Sequence, residues 1–416
     1  MKLTHCRMCK STELELFLDL GFTPLADNFL SPEKLDDPEE YFPLRVVLCN
    51  GCGLAQLDFV VPPQKMYNID YPYESSTTKT GRDHFHGMAK DIISKFSIPK
   101  ESLAVDLGSN VGVLLMGFKE EGMNVMGIEP SVNIMRKAIE NGIPTIPAFF
   151  GKEAVRQILD EKGKAMVLTA TNVFAHIHDL DTFMEATADL LEEKGVFVFE
   201  APYFKNLLDE MEYDTIYHEH LSYLSIKPLV EFFKSKGWEL FDVQEQSIHG
   251  GSLRCFVSRK GNYPVSPKIQ DYVDNEAKEN IHDITRLKEF AVQVEDHRKQ
   301  LVEMLADLKK QGKSIVAVSA PAKGQTLLNY CKIGDHILDY VTEKAKIKIG
   351  KFTPGMHIPV FGDDKLLTDK PDYALLLAWN FSKEIIANNE NFIKQGGKFI
   401  VPIPKPEIRG GSDANS

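Results

Sequence analysis

The chain has few cysteines, no excess of positive charge and no long apolar run. Its 416 residues include only six cysteines, too sparse for a disulfide framework. It contains no run of ~18 apolar residues, the length a membrane-spanning helix needs. The opening MKLTHCRMCK lacks the apolar stretch of a signal peptide, so the expected compartment is the reducing cytoplasm. Acidic residues number 60 against 48 Lys plus Arg, a net charge of −12. Nucleic acid and anionic membranes are bound through clustered cations, so neither is an expected partner. Also missing is the G-x-G-x-x-G loop of dinucleotide folds, which argues against NAD. What remains is an ordinary globular composition, 43% hydrophobic and 26% charged. The length suits two or three domains of ~100–200 residues each.

Two cysteine pairs dominate residues 1–70, a segment too small for much core of its own. Residues 60–80 are rich in proline, tyrosine and hydroxyls and read as a linker or ordered loop. From about residue 84, helical and strand-like patterns alternate, which predicts a parallel α/β sheet. WELFDVQEQSI and SLRCFVSR read as an edge hairpin joined near His249-Gly250-Gly251. Residues 268–312 read as one long charged helix. The α/β alternation then restarts with KSIVAVSA, and GGSDANS reads as a frayed tail.

Four of the cysteines form two C-x-x-C pairs, Cys6/Cys9 and Cys49/Cys52. Two intervening residues let both thiolates of a pair reach one ion, and two such pairs complete a zinc tetrahedron. Gly51 and Gly53 suit the tight turn. A closed Cys₄ set leaves no open coordination position, so the zinc is expected to be structural. The plainer alternative is two unrelated pairs of reduced thiols. A redox pair is disfavoured because neither follows a strand in a βαβ unit.

Val105-Asp106-Leu107-Gly108-Ser109-Asn110-Val111-Gly112 follows an apolar strand and opens a helix. Glycine at such a turn lets the backbone approach a ligand. Glu129 ends the next strand, where an acid accepts hydrogen bonds from ribose hydroxyls. An adenosyl ligand bearing a sulfonium needs no pyrophosphate cradle, so this turn predicts S-adenosyl-L-methionine, with Asp106 near its methionine end. The cofactor set is Asp106, Gly108, Asn110, Gly112, Glu129 and Asn172. The bland reading is a glycine-rich turn of some other α/β protein.

Asn172 begins Asn172-Val173-Phe174-Ala175-His176-Ile177-His178 at the end of a further strand. Beyond it come Glu200-Ala201-Pro202-Tyr203 and Tyr217-His218-Glu219-His220, the latter dense in groups that move protons. Histidine titrates near neutrality and is the usual general base. Glu219 or Glu200 is placed to orient an imidazole. A solvated loop with inert histidines is the competing reading.

Taken in order, these motifs resemble the S-adenosylmethionine-dependent sugar C-methyltransferases of bacterial deoxysugar biosynthesis, which act on nucleotide-linked 4-keto sugars. The resemblance runs through C-R-M-C, L-C-N-G-C-G-L-A-Q-L, Y-P-Y-E-S-S, V-D-L-G-S-N-V-G, the A-H after N-V-F, Y-H-E-H, H-G-G-S-L-R, A-P-A-K-G-Q-T-L-L-N-Y and T-P-G-M-H-I-P-V. It implies an α/β chain in three parts. These are a small N-terminal zinc-binding domain (1–72), a central class I methyltransferase Rossmann-like domain (73–260) and a second Rossmann-like α/β domain (261–416). It further implies His220 as general base, Tyr217 and Glu219 on the sugar, and His176 and Tyr71 in the pocket, with Tyr73 a rival for Tyr71. S-adenosyl-L-homocysteine would be the second product and the chain a monomer or weak homo-oligomer. His218 stands where several family members have an acid. Ser319-Ala320-Pro321-Ala322 replaces a more glycine-rich turn, which weakens any second nucleotide site there. Lys323 is a candidate for the donor pyrophosphate or a solvated helix-start lysine. Competing functions are sugar O-methylation, RNA methylation (opposed by the acidic balance) and an inactive zinc-stapled scaffold.

Overall fold

A computed structural model describes residues 1–67, 79–246 and 251–410. Tyr71, Tyr73, the Y-P-Y-E-S-S motif, the hairpin residues His249 and Gly250, and the tail 411–416 lie outside these described residues.

The central sheet has seven strands. In chain order they are Leu103–Leu107, Asn124–Ile128, Thr145–Ile146, Ala165–Thr171, Leu191–Pro202, Trp238–Gln246 and Ser252–Arg259. Across the sheet they run third, second, first, fourth, fifth, seventh, sixth. The seventh runs antiparallel to both of its neighbours, and the other strand pairings of the sheet are parallel. Every residue of Leu103–Leu107 is buried, as expected for a parallel strand covered on both faces. Chain order reverses between the first and fourth strands, which opens a crevice at their carboxyl ends.

The C-terminal sheet repeats this scheme with six strands. Ile315–Val318, Val341–Glu343, Val360–Gly362, Tyr373–Leu376, Lys398–Val401 and Glu407–Arg409 run third, second, first, fourth, fifth, sixth, the last antiparallel. The expected edge hairpin pairs Trp238–Gln246 with Ser252–Arg259.

The N-terminal sheet is antiparallel: Leu14–Thr23, Phe42–Cys49 and Ala55–Leu57, then Ser222–Tyr223 from far downstream. Phe17, Leu44 and Val46 share one core with Leu287 and Leu301 and with the C-terminal strand residue Val316. Cys6, Cys49 and Cys52 sit in a second core with the face of the central sheet that carries Val105 and Phe197.

Two sequence expectations need correction. The helix expected near residue 84 begins at Lys79, where Lys79 and Asp83 pair one turn apart. The long helix of 268–312 is two helices, Lys268–Lys278 and Ile284–Lys310. Asn280 breaks it in the left-handed region at φ 54°. Asp283 then caps the second helix, its Oδ1 accepting from the backbone N–H of Thr285 and Arg286 at 2.8 and 3.1 Å.

Glu276 explains why the shorter helix docks on the central domain. Its buried carboxylate accepts from Tyr203 Oη at 2.9 Å and from the backbone N–H of Ile226 and Lys227 at 2.6 and 2.9 Å. It thus caps the helix Ile226–Ser235, whose own N-cap Ser225 makes no side-chain cap bond. Glu276→Ala strands these donors and should cost roughly 1–3 kcal/mol, read as a lower urea midpoint with the slope unchanged.

Candidate functional site

The two knuckles are built alike. The N–H of Lys10 donates to the Cys6 carbonyl at 3.2 Å, and that of Gly53 to the Cys49 carbonyl at 2.8 Å. Lys10 and Gly53 both take positive φ, 64° and 86°. Gly51 does not need a left-handed turn, but a Cβ there would lie 3.0 Å from the Ser11 Cβ and 3.4 Å from the Cys9 sulfur. All four sulfurs lie within 4.8 Å of one another, with Cys6–Cys52 at 3.7 Å and Cys9–Cys49 at 3.5 Å. A tetrahedron with Zn–S bonds of ~2.3 Å has an edge of ~3.8 Å, so the donor set fits zinc. Without a cation four crowded thiols cannot ionise together. The bond from Cys52 draws Cys6 down to about 5, while burial pushes Cys49 up to about 11.

The knuckle also reaches inward. Arg7, buried between Cys6 and Cys9, donates from Nη1 to Gln56 Oε1 at 3.0 Å and to the carbonyls of Leu57 and Leu221, both at 2.9 Å. Leu221 follows His220 directly, so the zinc segment holds the backbone beside the histidine cluster.

At the switch point, Gly108 is left-handed at φ 57°, and a Cβ there would come within 2.6 Å of Val173. Gly112 has φ 83°, and Asn110 is also left-handed at φ 50°. Asp106 is buried and accepts from Thr169 Oγ1 at 2.6 Å. Burial pushes its carboxyl up to about 7, against the bond from Thr169, and Glu129 adds to the rise. Glu129 is buried at the end of the next strand, where burial raises its carboxyl. It accepts the N–H of Asn110 at 3.1 Å on one oxygen and that of Ser131 at 2.9 Å on the other. Each oxygen keeps a lone pair, enough for a diol. The N–H of Asn172, itself at φ 55°, donates to the Glu200 carbonyl at 2.8 Å. A tight backbone turn flanked by two buried carboxyls fits a cationic adenosyl ligand.

Beside this turn four rings form a column. Tyr67 lies over His176 (centroids 6.5 Å apart, 18° between planes), His176 over His220 (5.0 Å, 30°) and His220 over Tyr217 (4.0 Å, 37°). His220 Nδ1–H donates to the Thr215 carbonyl at 2.7 Å, which leaves Nε2 as the basic nitrogen. His176 Nδ1 meets the Tyr67 hydroxyl at 2.9 Å, and burial followed by the charge on His220 holds His176 well below its ordinary range. Positive charge on either of two stacked imidazoles disfavours it on the other. Burial raises the Tyr67 hydroxyl, and Glu219, Tyr217 and Glu129 raise it further. Tyr67 therefore stands between the cofactor acid and the histidines. His218 turns away from the column into a buried edge contact with Phe42 (5.8 Å, 71°), and burial lowers it to about 4.

Glu200, expected to orient an imidazole of the cluster, binds elsewhere. His84 Nε2 donates to it at 2.8 Å and Arg254 Nε at 2.7 Å. Burial raises this carboxyl, but those two partners outweigh it and hold it below its ordinary value. The Lys323 ammonium already has partners within the chain. It is half-buried with Nζ 4.0 Å from the Trp379 ring centroid, donates to Asn380 at 2.6 Å and faces Asp214 and Glu212. Sequence reasoning missed Tyr67, His84, Arg254 and the Thr215 carbonyl. Arg254 stood in the quoted H-G-G-S-L-R without a role, and the other three carry no local signal.

The sheet order, the glycine turn with its two acids and the four-sulfur cluster define a class I methyltransferase carrying a zinc-binding domain. Three family models match in chain order: a zinc binding domain over residues 6–67, a methyltransferase domain over 82–243 and a C-methyltransferase C-terminal domain over 247–404. The C-methyltransferase NovU of Streptomyces niveus is 34% identical over 405 residues, spanning 97% of this chain and 96% of that protein. The chain belongs to this family of S-adenosylmethionine-dependent C-methyltransferases. Among solved structures, an S-adenosylmethionine-dependent methyltransferase from Clostridium acetobutylicum matches at 13% identity and TM-score 0.35, covering 43% of this chain and 92% of that one. Magnesium protoporphyrin IX methyltransferase from Synechocystis matches at 11% identity and TM-score 0.33, covering 47% and 89%. Neither likeness carries an argument about function. No described helix is long and apolar enough to cross a membrane.

Cys49→Ser should lower bound zinc, measured by atomic emission, from one ion per chain to well below one, and lower the melting temperature with it. Asp106 yields a second expectation. Its carboxyl ordinarily titrates near 3.8 and in the fold near about 7. Between these values the folded chain keeps a proton that the unfolded chain has lost, so this group's contribution to stability falls as pH rises, by up to ~1.4 kcal/mol per unit. Above 7 the loss is complete. Urea titrations of ligand-free protein at pH 5 and 7.5 should show a smaller stability difference in Asp106→Asn than in the parent.

Proposed function

We propose that the enzyme, acting in the cytoplasm, methylates C3 of a nucleotide-linked 4-keto-deoxysugar through an enolate formed by His220. The observation that carries this reading is the hydrogen bond from His220 Nδ1 to the Thr215 carbonyl. It fixes one tautomer and presents Nε2 as a base beside the cofactor turn. A C–H next to a ketone is acidic enough for such a base, and the family resemblance favours carbon over a sugar hydroxyl as the acceptor.

Asp106, Gly108, Asn110, Gly112, Glu129 and Asn172 would hold S-adenosyl-L-methionine, with Glu129 on the ribose and Asp106 toward the cationic end. When bound, the cofactor supplies an electrophilic methyl group. His220 Nε2 takes the C3 proton. His176 stays neutral beside the resulting imidazolium and, with Tyr217 and Tyr71 or its rival Tyr73, offers donors to the oxyanion, often the largest catalytic contribution. Glu219 would orient the sugar. Zinc takes no part in the chemistry. Through Arg7 and Leu221 its knuckle steadies the segment that carries His220. The chain would divide at 1–72, 73–260 and 261–416 and would take neither nucleic acid nor a membrane as its partner.

The test follows C3 by NMR in deuterium oxide with TDP-, GDP- and CDP-linked 4-keto-6-deoxy sugars in turn, reading exchange with S-adenosyl-L-homocysteine bound and methylation with S-adenosyl-L-methionine. The parent should exchange C3–H with at least one of them. His220→Ala should lose exchange and methylation together, by about 10²–10⁴-fold. Methylation that persists in His220→Ala, or that appears on oxygen, would sink the proposal.

A further inference from the structure

The carbonyl that orients His220 belongs to a short turn, Tyr213–Thr215, and that turn is gripped from one side. Trp379 Nε1–H donates to Asp214 Oδ2 at 2.7 Å. Thr326 Oγ1 donates to the Ile216 carbonyl at 2.9 Å. His297 Nε2–H donates to the Pro402 carbonyl at 2.7 Å, which leaves Nδ1 to accept from the Tyr213 hydroxyl at 3.0 Å. The three partners come from the long helix Ile284–Lys310 and the C-terminal sheet region, over a hundred positions from the turn for Thr326 and Trp379. They fasten residues 213, 214 and 216, the neighbours of Thr215 on both sides. Asp214, Tyr213, Thr326 and His297 are all buried, so water does not compete for these bonds.

From this geometry we infer that Thr326 and Trp379 are positioning residues for His220: by clamping the Tyr213–Ile216 turn they hold the Thr215 carbonyl on Nδ1–H and so fix the tautomer that presents Nε2. A backbone carbonyl has no rotamer of its own. Its direction is set by the peptide planes around it, and here those planes are anchored by side chains of a different domain. If the turn relaxes, Nδ1–H loses its acceptor and the imidazole is free to protonate on Nε2 instead, the form that cannot act as a base there. The C-terminal domain thus acts on proton transfer without touching the reacting atoms. The catalytic consequence rests on the general-base reading of His220; the tautomer itself does not.

Full-length protein labelled with ¹⁵N-histidine tests this directly. Long-range ¹H–¹⁵N spectra show which imidazole nitrogen is protonated, and the His220 signals are identified by their loss in His220→Gln. In the parent at neutral pH, His220 should be the Nδ1–H tautomer. Thr326→Val, which removes the hydroxyl, and Trp379→Phe, which removes the N–H but keeps a ring under Lys323, should each mix in the Nε2–H form. Each should lower kcat for C3 deuterium exchange about tenfold, with KM for the nucleotide sugar within about twofold. Thr326→Ser keeps the hydroxyl and should match the parent in both readouts. If Trp379→Phe fails to fold, the Thr326→Val and Thr326→Ser pair decides alone. An unchanged Nδ1–H tautomer in Thr326→Val overturns the inference, whether kcat is kept or falls. Exchange surviving in His220→Gln would discard the base assignment, while the tautomer comparison would still judge the clamp.

Discussion

The segment from Glu212 to Leu224 is where the three parts of the chain are tied together, and its burial is the constraint on which the site depends. A buried segment must satisfy its backbone polar groups without water. Here the partners come from every side. The Ile216 carbonyl takes the Thr326 hydroxyl, and the Leu221 carbonyl takes both Arg7 and the N–H of Leu57. Ser222–Tyr223 adds a strand to the N-terminal sheet. No single domain could supply all of these partners, so the segment that carries Tyr217 and His220 acquires its shape only when the three are assembled.

This explains how a structural metal bears on a remote reaction. Zinc closes two knuckles, and the first positions Arg7. That guanidinium is buried among carbonyls, so burial lowers its pKa to about 10 while the Cys6 thiolate beside it works the other way. A cation buried this deeply has to be held by acceptors of fixed geometry. Its Nη1 fixes the Leu57 and Leu221 carbonyls, and with them one edge of the histidine segment. The C-terminal domain fixes the other edge through Trp379 and Thr326. Between the two edges the rings of Tyr67, His176, His220 and Tyr217 stack.

Charge in the site is arranged by the same economy of burial. Burial raises both Asp106 and Glu129, and Glu129 raises Asp106 further, a cost the ligand-free fold carries and a cationic ligand would relieve. Glu200 is buried too, but the Arg254 guanidinium neutralises it and His84 donates to it, so it ties the helix Lys79–Phe96 to the strand Ser252–Arg259. Carboxylates of similar burial thus have different fates, decided by whether a cation is already beside them.

What the sequence determined by itself is whatever depends on residues near one another along the chain. Each zinc knuckle is a turn of a few residues, so C-x-x-C and its glycine show it. The turn at Gly108 follows its strand directly, and Glu129 lies one βαβ unit on, so strand periodicity and glycine placement locate both. The Y-H-E-H cluster was visible as a dense run of titratable groups. Tertiary structure alone decided which of those groups face each other. His218 and His220 are two residues apart, yet one is sealed against Phe42 and the other stacks between His176 and Tyr217. The orienting partner of His220 is a carbonyl, and every residue type has one, so no composition or spacing could single it out. Arg7, Tyr67, His84, Thr326 and Trp379 reach the site only through contacts between distant parts of the chain. Such contacts are chosen by the packing of whole domains, which no local pattern encodes.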